Sequence, residues 1–255
     1  MGYSSFIRVT SDSGSVEEHD LKELYETKQG EDMFLDMLRE KELPDGMKAE
    51  IVVLSHLDGK VLGTLLFKYE GPLNEDLSGT KFHCADLRYV NLSGCDLKNV
   101  NFHGSLLHNA NFQGSDLEGA ILTKVHGENV NFSATNLQEA NLNESYLFKS
   151  NFDVSTMSGI RMVDCDLEEA SFKHCEMTDS VLRGSCSRGA NFSNARLWSS
   201  DLRGTDMKES VLEETDFSRA NLENSDFRYT DTRTSNFTDA NIQGSGIKIK
   251  RPKLK

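Results

Sequence analysis

Two of the seven histidines lie twenty residues apart, and histidine is the side chain best suited to hold a divalent transition metal near neutral pH. His83 and His103 are twenty residues apart, and His108 follows five residues later. A chain that returned to the same place every twenty residues would stack the first two rings. The spacing therefore predicts His83 and His103 as a candidate metal-binding pair, with surface histidines in chance register as the alternative.

The cysteines favour free thiols over a disulfide framework or a zinc site. Their number is odd, their spacing is irregular, and no two of them form a CxxC pair. The N-terminal stretch has no basic segment followed by an apolar core, as a secretory signal would. A reducing compartment fits best, so we expect a cytoplasmic protein. The five residues are Cys84, Cys95, Cys165, Cys175 and Cys186.

The sequence holds no motif typical of an enzyme. A nucleophile elbow, a glycine-rich phosphate loop and an HExxH metal motif are all missing from it. Carboxylates are abundant, but they recur at one position of a repeat, so no pair of them identifies an acid–base couple. We therefore expect no catalytic activity and no cofactor.

The arrangement that must position these side chains is a repeat of five residues. Stepping by five from Leu77 to Ile247 gives 35 anchor positions, of which 32 are Leu, Phe, Met or Ile. The three exceptions are Gly127, Ser187 and Thr232. Neither a helix, with a period of 3.6, nor a strand, with a period of 2, produces this pattern.

A second column of small residues lies two positions before the anchors. Ala, Ser, Thr, Cys or Val occupies 33 of its 35 positions, and Glu75 and Ile160 are the exceptions. Asp or Asn fills 21 of the 35 positions between the two columns, and glycine fills ten of the positions two after the anchor. Each pentad thus resembles one short extended side, with two inward residues, followed by a corner that suits positive φ.

These residues carry a resemblance to a known family. The stretches "ADLRYVNLSGCDLKNVNF" (85–102) and "ANLENSDF" (220–227) are similar to the A(D/N)LXX signature of pentapeptide repeat proteins. The resemblance covers residues 75–247 and implies a right-handed quadrilateral parallel β-helix, with four sides and twenty residues in each coil. We therefore expect a mainly β protein whose coils lie about 4.8 Å apart.

A coil of twenty residues predicts a structural ladder of phenylalanines in the core. The ladder members fall on one side in five successive coils, and stacked rings of this kind stabilise a solenoid. They are Phe112, Phe132, Phe152, Phe172 and Phe192.

Apolar residues at outward positions form the candidate partner-binding site. Six fall on two adjacent sides within about four coils, and His126 lies inside the same patch. A contiguous exposed apolar patch is typical of a contact site. The alternative is that neighbouring side chains half cover them at the corners. Trp198 lies alone on another side as a possible anchor. The seven residues are Leu106, Ile121, His126, Tyr146, Phe148, Val163 and Val181.

The first seventy residues lack the period of five and predict a small α/β domain over residues 1–72. Residues 6–11 resemble a strand, while 15–27 and 31–43 show helical spacing, the first with a capping box from Ser15 to Glu18. Residues 49–56 and 60–70 flank a turn and predict a hairpin. We expect this domain to cap the solenoid (73–247) or to dock a partner, with residues 248–255 as a basic tail.

Charge limits the partners that the protein can bind directly. The net charge is −13, which argues against direct contact with nucleic acid or an anionic membrane. We expect a non-enzymatic scaffold that binds another protein. The family resemblance implies an alternative, a DNA mimic that modulates DNA gyrase or topoisomerase. A basic column that includes Arg188, Lys208 and Arg228 would interrupt such mimicry.

Overall fold

The computed structural model describes residues 6–10, 16–20 and 48–50, and then 77–79, 81–85 and 87–247. The N-terminal part contains the strands β1 (Phe6–Thr10), β2 (Val16–Asp20) and β3 (Lys48–Glu50). They form an antiparallel sheet in the order β2-β1-β3. Within these described ranges, no helix has the length and apolar composition needed to cross a bilayer.

Strand β2 shows that the helix predicted over residues 15–27 is wrong for residues 16–20. These residues pair with β1, so that Val16 lies opposite Thr10 and Asp20 lies opposite Phe6. A capping box is a local signal, and it cannot report a strand partner elsewhere in the chain. The second predicted helix, most of the predicted hairpin and the basic tail lie outside the described residues. The small α/β domain and its boundaries stay a prediction.

From residue 81 onward the chain winds in coils of twenty residues. Residues twenty apart pair as parallel bridges, such as Asn91 with Asn111 and Asn111 with Asn131. The amide of Phe112 donates to the carbonyl of Asn131 at 2.7 Å, and the amide of Asn131 donates back to the carbonyl of Ala110 at 2.9 Å. Each coil therefore satisfies the backbone of the next, as stacked parallel strands do.

Four pentads make one coil, so the coils have four sides, which we number by their anchors. The first side has anchors every twenty residues from Leu77 to Phe237, the second from Phe82 to Ile242, the third from Leu87 to Ile247, and the fourth from Leu92 to Thr232. The predicted phenylalanine ladder lies on the fourth side. Its rings are buried, and neighbouring centroids are 5.1, 5.0, 4.8 and 4.7 Å apart from Phe112 to Phe192.

The small inward column supplies hydrogen bonds as well as room for the anchors. The hydroxyl of Ser155 donates to the carbonyl of Phe132 at 2.6 Å, and the thiol of Cys165 donates to the carbonyl of Leu142 at 3.0 Å. Burial raises the pKa of Cys165 to about 12, which keeps this thiol protonated as a donor. The column therefore satisfies anchor carbonyls that face the core.

The corners take a left-handed backbone whether or not glycine occupies them. Gly114 has φ of 68°, but Asn109, Glu139 and Tyr229 have φ of 57°, 55° and 63° at the equivalent positions. Twenty-three described residues other than glycine share this conformation. The stacking of one coil on the next thus imposes the corner, against a local cost of roughly 1–2 kcal/mol for each such residue.

The three anchor exceptions have three different consequences. At Gly127, a Cβ atom would meet the Cγ2 atom of Val130 at 2.4 Å, so a neighbour already fills the missing side chain's place. The hydroxyl of Ser187 is buried and finds no hydrogen-bond partner among the described residues. At Thr232 the coil loosens, and in the described rod Asp231 forms no bridge with Val211.

Candidate protein-interaction surface

An exposed ring stack lies on the third side of the solenoid. Leu106, His126, Tyr146 and Asp166 follow one another in the outward column just before the anchors, and each pairs with the next as a parallel bridge. The rings of His126 and Tyr146 stack at 4.9 Å and 12°. Tyr146 is 55% exposed. The coil spacing thus converts two exposed side chains into one continuous apolar surface.

Phe148 extends this surface across the third side. It lies in the outward column just after the anchors. His108 and Glu128 precede it in this column, and Glu168 follows it one coil later. The ammonium group of Lys149 lies 4.6 Å from the ring centroid of Phe148, and its Nζ atom is 3.5 Å from a carboxylate oxygen of Glu169. Phe148 is therefore half buried, with one ring face under a cation. We call Leu106, His126, Tyr146 and Phe148 the aromatic patch.

The second side contributes fewer residues to the apolar patch than the sequence predicts. Ile121 is exposed and lies one pentad before His126, next to the aromatic patch. Val181 occupies the same column as Ile121, but Asn141 and Arg161 stand between them. Val163 and Val181 are both half buried. The predicted patch is thus one cluster on the third side together with Ile121, and the two valines lie apart from it.

Trp198 lies on the first side, away from the aromatic patch. The indole is 37% exposed, and the guanidinium carbon of Arg219 lies 5.4 Å from its ring centroid. A cation–π contact of this kind holds the ring against the rod. The structure therefore does not bring Trp198 together with the other candidate residues.

Carboxylates surround the aromatic patch, and most of the acidic excess lies in the same coils. Residues 110–180 contain 12 acidic and 4 basic side chains, whereas residues 181–247 contain 10 and 8. Glu128, Asp166 and Glu168 border the patch, and none of them forms an ion pair with another described residue. The field at this surface is therefore negative.

The basic column on the third side is neutralised where it follows the patch. Arg188 pairs with Glu209 at 2.8 Å, and Lys208 pairs with Asp206 at 2.6 Å. Hydrogen bonding from Arg228 holds the pKa of the Asp226 carboxyl down to about 2. These cations are committed to carboxylates of the same rod, so they do not form a separate positive surface.

The sequence comparison decides the family once this geometry is known. The model of pentapeptide repeats matches in eight copies, over residues 74–99, 85–123, 128–162, 190–228 and 215–245, which together exceed half of the chain. The chain belongs to the pentapeptide repeat family. The recognition made from the A(D/N)LXX signature is confirmed, and so is the mainly β solenoid.

Two solved structures match part of this chain. HetL, involved in heterocyst differentiation regulation in the cyanobacterium Nostoc sp. strain PCC 7120, is 22% identical, with 68% of this chain and 82% of HetL covered and a TM-score of 0.39. The plasmid-mediated fluoroquinolone resistance protein QnrB1 is 14% identical, with coverages of 65% and 88% and a TM-score of 0.43. None of the curated proteins matches the chain.

The predicted histidine pair forms on the second side of this pentapeptide repeat solenoid. The rings of His83 and His103 lie 5.0 Å apart and are tilted by 38°. The Nδ1 atom of His103 is 2.6 Å from the hydroxyl oxygen of Thr123, so this nitrogen already has a partner. His108 does not join them, because it lies on the third side, where its Nδ1 atom accepts the amide hydrogen of Glu128. Metal binding by the pair stays a prediction.

The repeat also assembles a cluster of possible metal ligands that was not predicted from the sequence. One oxygen of Asp166, one oxygen of Glu168 and the sulfur of Cys186 lie within 4.8 Å of one another. The signal was present, since Asp166 and Cys186 are twenty residues apart and Glu168 follows Asp166 by two. Burial raises the pKa of the Cys186 thiol. The cluster combines two hard oxygens with one soft sulfur.

Exposed apolar corners were missed for a different reason. Tyr89 and Tyr229 on the third side and Val154 on the fourth occupy corners, where the sequence pattern predicts glycine or a polar residue. Tyr229 is 83% exposed. Val154 lies on a different side from the aromatic patch, and Tyr229 lies four coils beyond Phe148. Tyr89 lies on the same side one coil before Leu106, where its amide donates to the carbonyl of His108, so it borders one end of the patch.

Proposed function

We propose that the protein is a non-enzymatic scaffold that binds another protein through the aromatic patch. The observation that carries this proposal is the exposed stack of Tyr146 on His126. Beyond Tyr146 the same column continues with Asp166, Cys186, Asp206 and Asp226, so the aromatic rings are followed by a polar surface. Aromatic residues on an otherwise polar surface are typical of the energetic centre of a protein interface.

The construction of the rod supports a role of its outer surface. Large side chains fill the interior of the described coils, since Leu147, Phe152 and Met157 are completely buried. A rigid solenoid presents extended flat sides, and repeat proteins commonly bind partners on such surfaces. The protein is therefore proposed to act by contact rather than by catalysis. The five free cysteines support action in the reducing cytoplasm.

Affinity capture with the full chain tests this function. The immobilised wild-type protein should retain a specific partner, and the double variant Tyr146→Asp, Phe148→Asp should lose it. The matched control is Val154→Asp with Val211→Asp, which also places two carboxylates at exposed apolar positions but on the fourth side. All three proteins should have the same circular dichroism spectrum. A partner kept by the patch variant would overturn the proposal.

A DNA-mimicking modulator of DNA gyrase or topoisomerase is the second candidate. The observation that favours it is the excess of eight negative charges within residues 110–180, because a topoisomerase binds a polymer of dense negative charge. The neutralised coils after residue 181 restrict the acidic surface to part of the rod. A gyrase supercoiling assay with the purified chain tests this candidate, and unchanged supercoiling at micromolar protein would remove it.

A further inference from the structure

The aromatic patch lies between carboxylates along the axis of the rod. In one outward column Glu128 precedes Phe148 by one coil and Glu168 follows it by one coil, while Asp166 follows Tyr146 in the other column. Successive coils are about 4.8 Å apart, so Glu128 and Glu168 are separated by about 10 Å along the rod. The patch therefore has an apolar centre at Phe148 with a carboxylate on each side of it along the rod. Each carboxylate is one coil away from this centre.

These carboxylates are available to a cation from outside the rod. Glu128, Asp166 and Glu168 form no ion pair with another described residue, whereas Glu169 beside them is bound to Lys149. Arg188, one coil beyond Glu168, attracts it electrostatically, but its guanidinium is paired with Glu209. The surrounding coils carry three times as many acidic as basic side chains. A neutral or acidic partner would take water from these three carboxylates without supplying an opposite charge, and this desolvation opposes binding. Charge complementarity thus selects a cationic partner.

The backbone of the coils decides the shape of that partner. On this side the amide of Leu147 donates to the carbonyl of Asp166, and the amide of Tyr146 donates to the carbonyl of Val125. Main-chain groups at the patch are therefore already paired with the neighbouring coils. An extended segment laid on the side could not pair its own backbone there, whereas a helix satisfies its backbone internally.

We propose that the aromatic patch binds a cationic amphipathic helix of a partner protein, lying along the rod. The inference rests on the proposed scaffold function and specifies the class of partner. In a helix, residues seven apart are separated by about 10.5 Å, which matches the separation of Glu128 and Glu168. The helix would place Lys or Arg at positions i and i+7, with apolar residues at i+3 and i+4 over Tyr146 and Phe148.

Synthetic peptides provide direct probes of this proposal. The first is a fluorescein-labelled 18-residue peptide of Leu and Lys with helical periodicity. The second has Glu at each Lys position, and the third has the composition of the first but alternates Leu and Lys as a strand would. Fluorescence anisotropy with the full chain should show binding of the helical cationic peptide at least about tenfold tighter than binding of the other two.

Two matched variants separate a site from general attraction to an acidic protein. Glu128→Lys with Glu168→Lys should weaken binding of the helical cationic peptide about tenfold or more. Glu139→Lys with Glu213→Lys changes the net charge equally, but on the first and fourth sides, and should weaken binding less than about threefold. Equal weakening by both pairs, or equal affinity for the helical and the alternating peptide, would overturn the proposal.

The outcome is distinguishable from failure of the scaffold function. If the captured partner is lost from the Tyr146→Asp, Phe148→Asp variant but kept by Glu128→Lys with Glu168→Lys, the scaffold stands and the cationic helix is wrong. If the peptides behave as expected but the wild-type chain captures no specific protein, the surface has the proposed preference and the scaffold function is wrong.

Discussion

The hydroxyl of Ser145 joins two coils inside the solenoid. It donates to the carbonyl of Leu122 at 2.7 Å and accepts the amide hydrogen of Val125 at 3.1 Å. Both backbone groups are buried, and this hydroxyl satisfies each of them. The small column is thus part of the hydrogen-bond system of the fold and not only a row of residues that leave room for the anchors.

Replacing this hydroxyl should destabilise the rod although little volume is lost. We expect Ser145→Ala to lower the free energy of unfolding by about 1–3 kcal/mol, because it leaves a buried donor and a buried acceptor unpaired. Urea unfolding followed by circular dichroism measures this change. Ser145→Thr keeps the hydroxyl and should cost less. Equal losses for the two variants would show that the hydroxyl is unimportant.

At Ser187 we expect replacement by alanine to change the free energy of unfolding in the opposite direction. Its hydroxyl is buried without a partner among the described residues, so Ser187→Ala removes a polar atom that was desolvated without compensation. The variant should be as stable as the wild type or more stable, by up to about 1–3 kcal/mol. The same urea experiment tests this, with Ser145→Ala as the comparison. Clear destabilisation by Ser187→Ala would mean that the hydroxyl has a partner in solution.

A missing anchor is not always an empty place. At Gly127 a methyl group would overlap Val130, so Gly127→Ala should destabilise the protein by about 1–3 kcal/mol through overpacking. Gly114→Asn is the control, because that corner has no heavy atom within 4 Å of a Cβ and asparagine tolerates positive φ. Thermal unfolding measures both. A stabilising Gly127→Ala would contradict the packing described for this coil.

The ion pair of Asp226 should produce a defined pH dependence. Arg228 lowers the pKa of this carboxyl from 3.8 to about 2 in the folded protein, so its stabilisation is present above pH 3.8 and is lost as the pH falls through about 2. The wild type should exceed Asp226→Asn in stability at pH 5–7 by less than about 1 kcal/mol, since Arg228 is exposed and water screens the pair. Near pH 2 the difference should vanish, and a constant difference would exclude the ion pair as its source.

Local composition was enough to predict the solenoid. Residues such as Leu117 and Leu122 recur at intervals of five, each with a small residue two positions earlier. This pattern buries them together if the chain turns after every pentad. The coil of twenty residues followed from the family resemblance, and the bridge from Asn91 to Asn111 shows it directly. Strong periodicity makes such a fold predictable because each coil repeats the same packing.

Features that depend on the neighbouring coil were harder to predict from the sequence. The sequence could not reveal that Ser145 donates to Leu122, or that Glu139 adopts a glycine-like backbone, because stacking imposes both. It also grouped Val181 with Ile121, although Arg161 stands in their column. Strand β2 was missed since its partner, β1, is not encoded in the local capping pattern. The sequence therefore predicted an outward apolar patch, but not which of its residues lie together in one cluster.

The left-handed corners also give the molecule a practical property. Asn, Glu, Lys, Tyr and Val all occupy such corners. Successive corners on one side of the rod are separated along its axis by one coil. A chemist could therefore mount dyes, metal chelators or epitopes at chosen corners, and read distances from the mounting points in steps of about 4.8 Å. The protein would then serve as a molecular ruler, because the difference between two residue numbers on one side gives their distance along the rod.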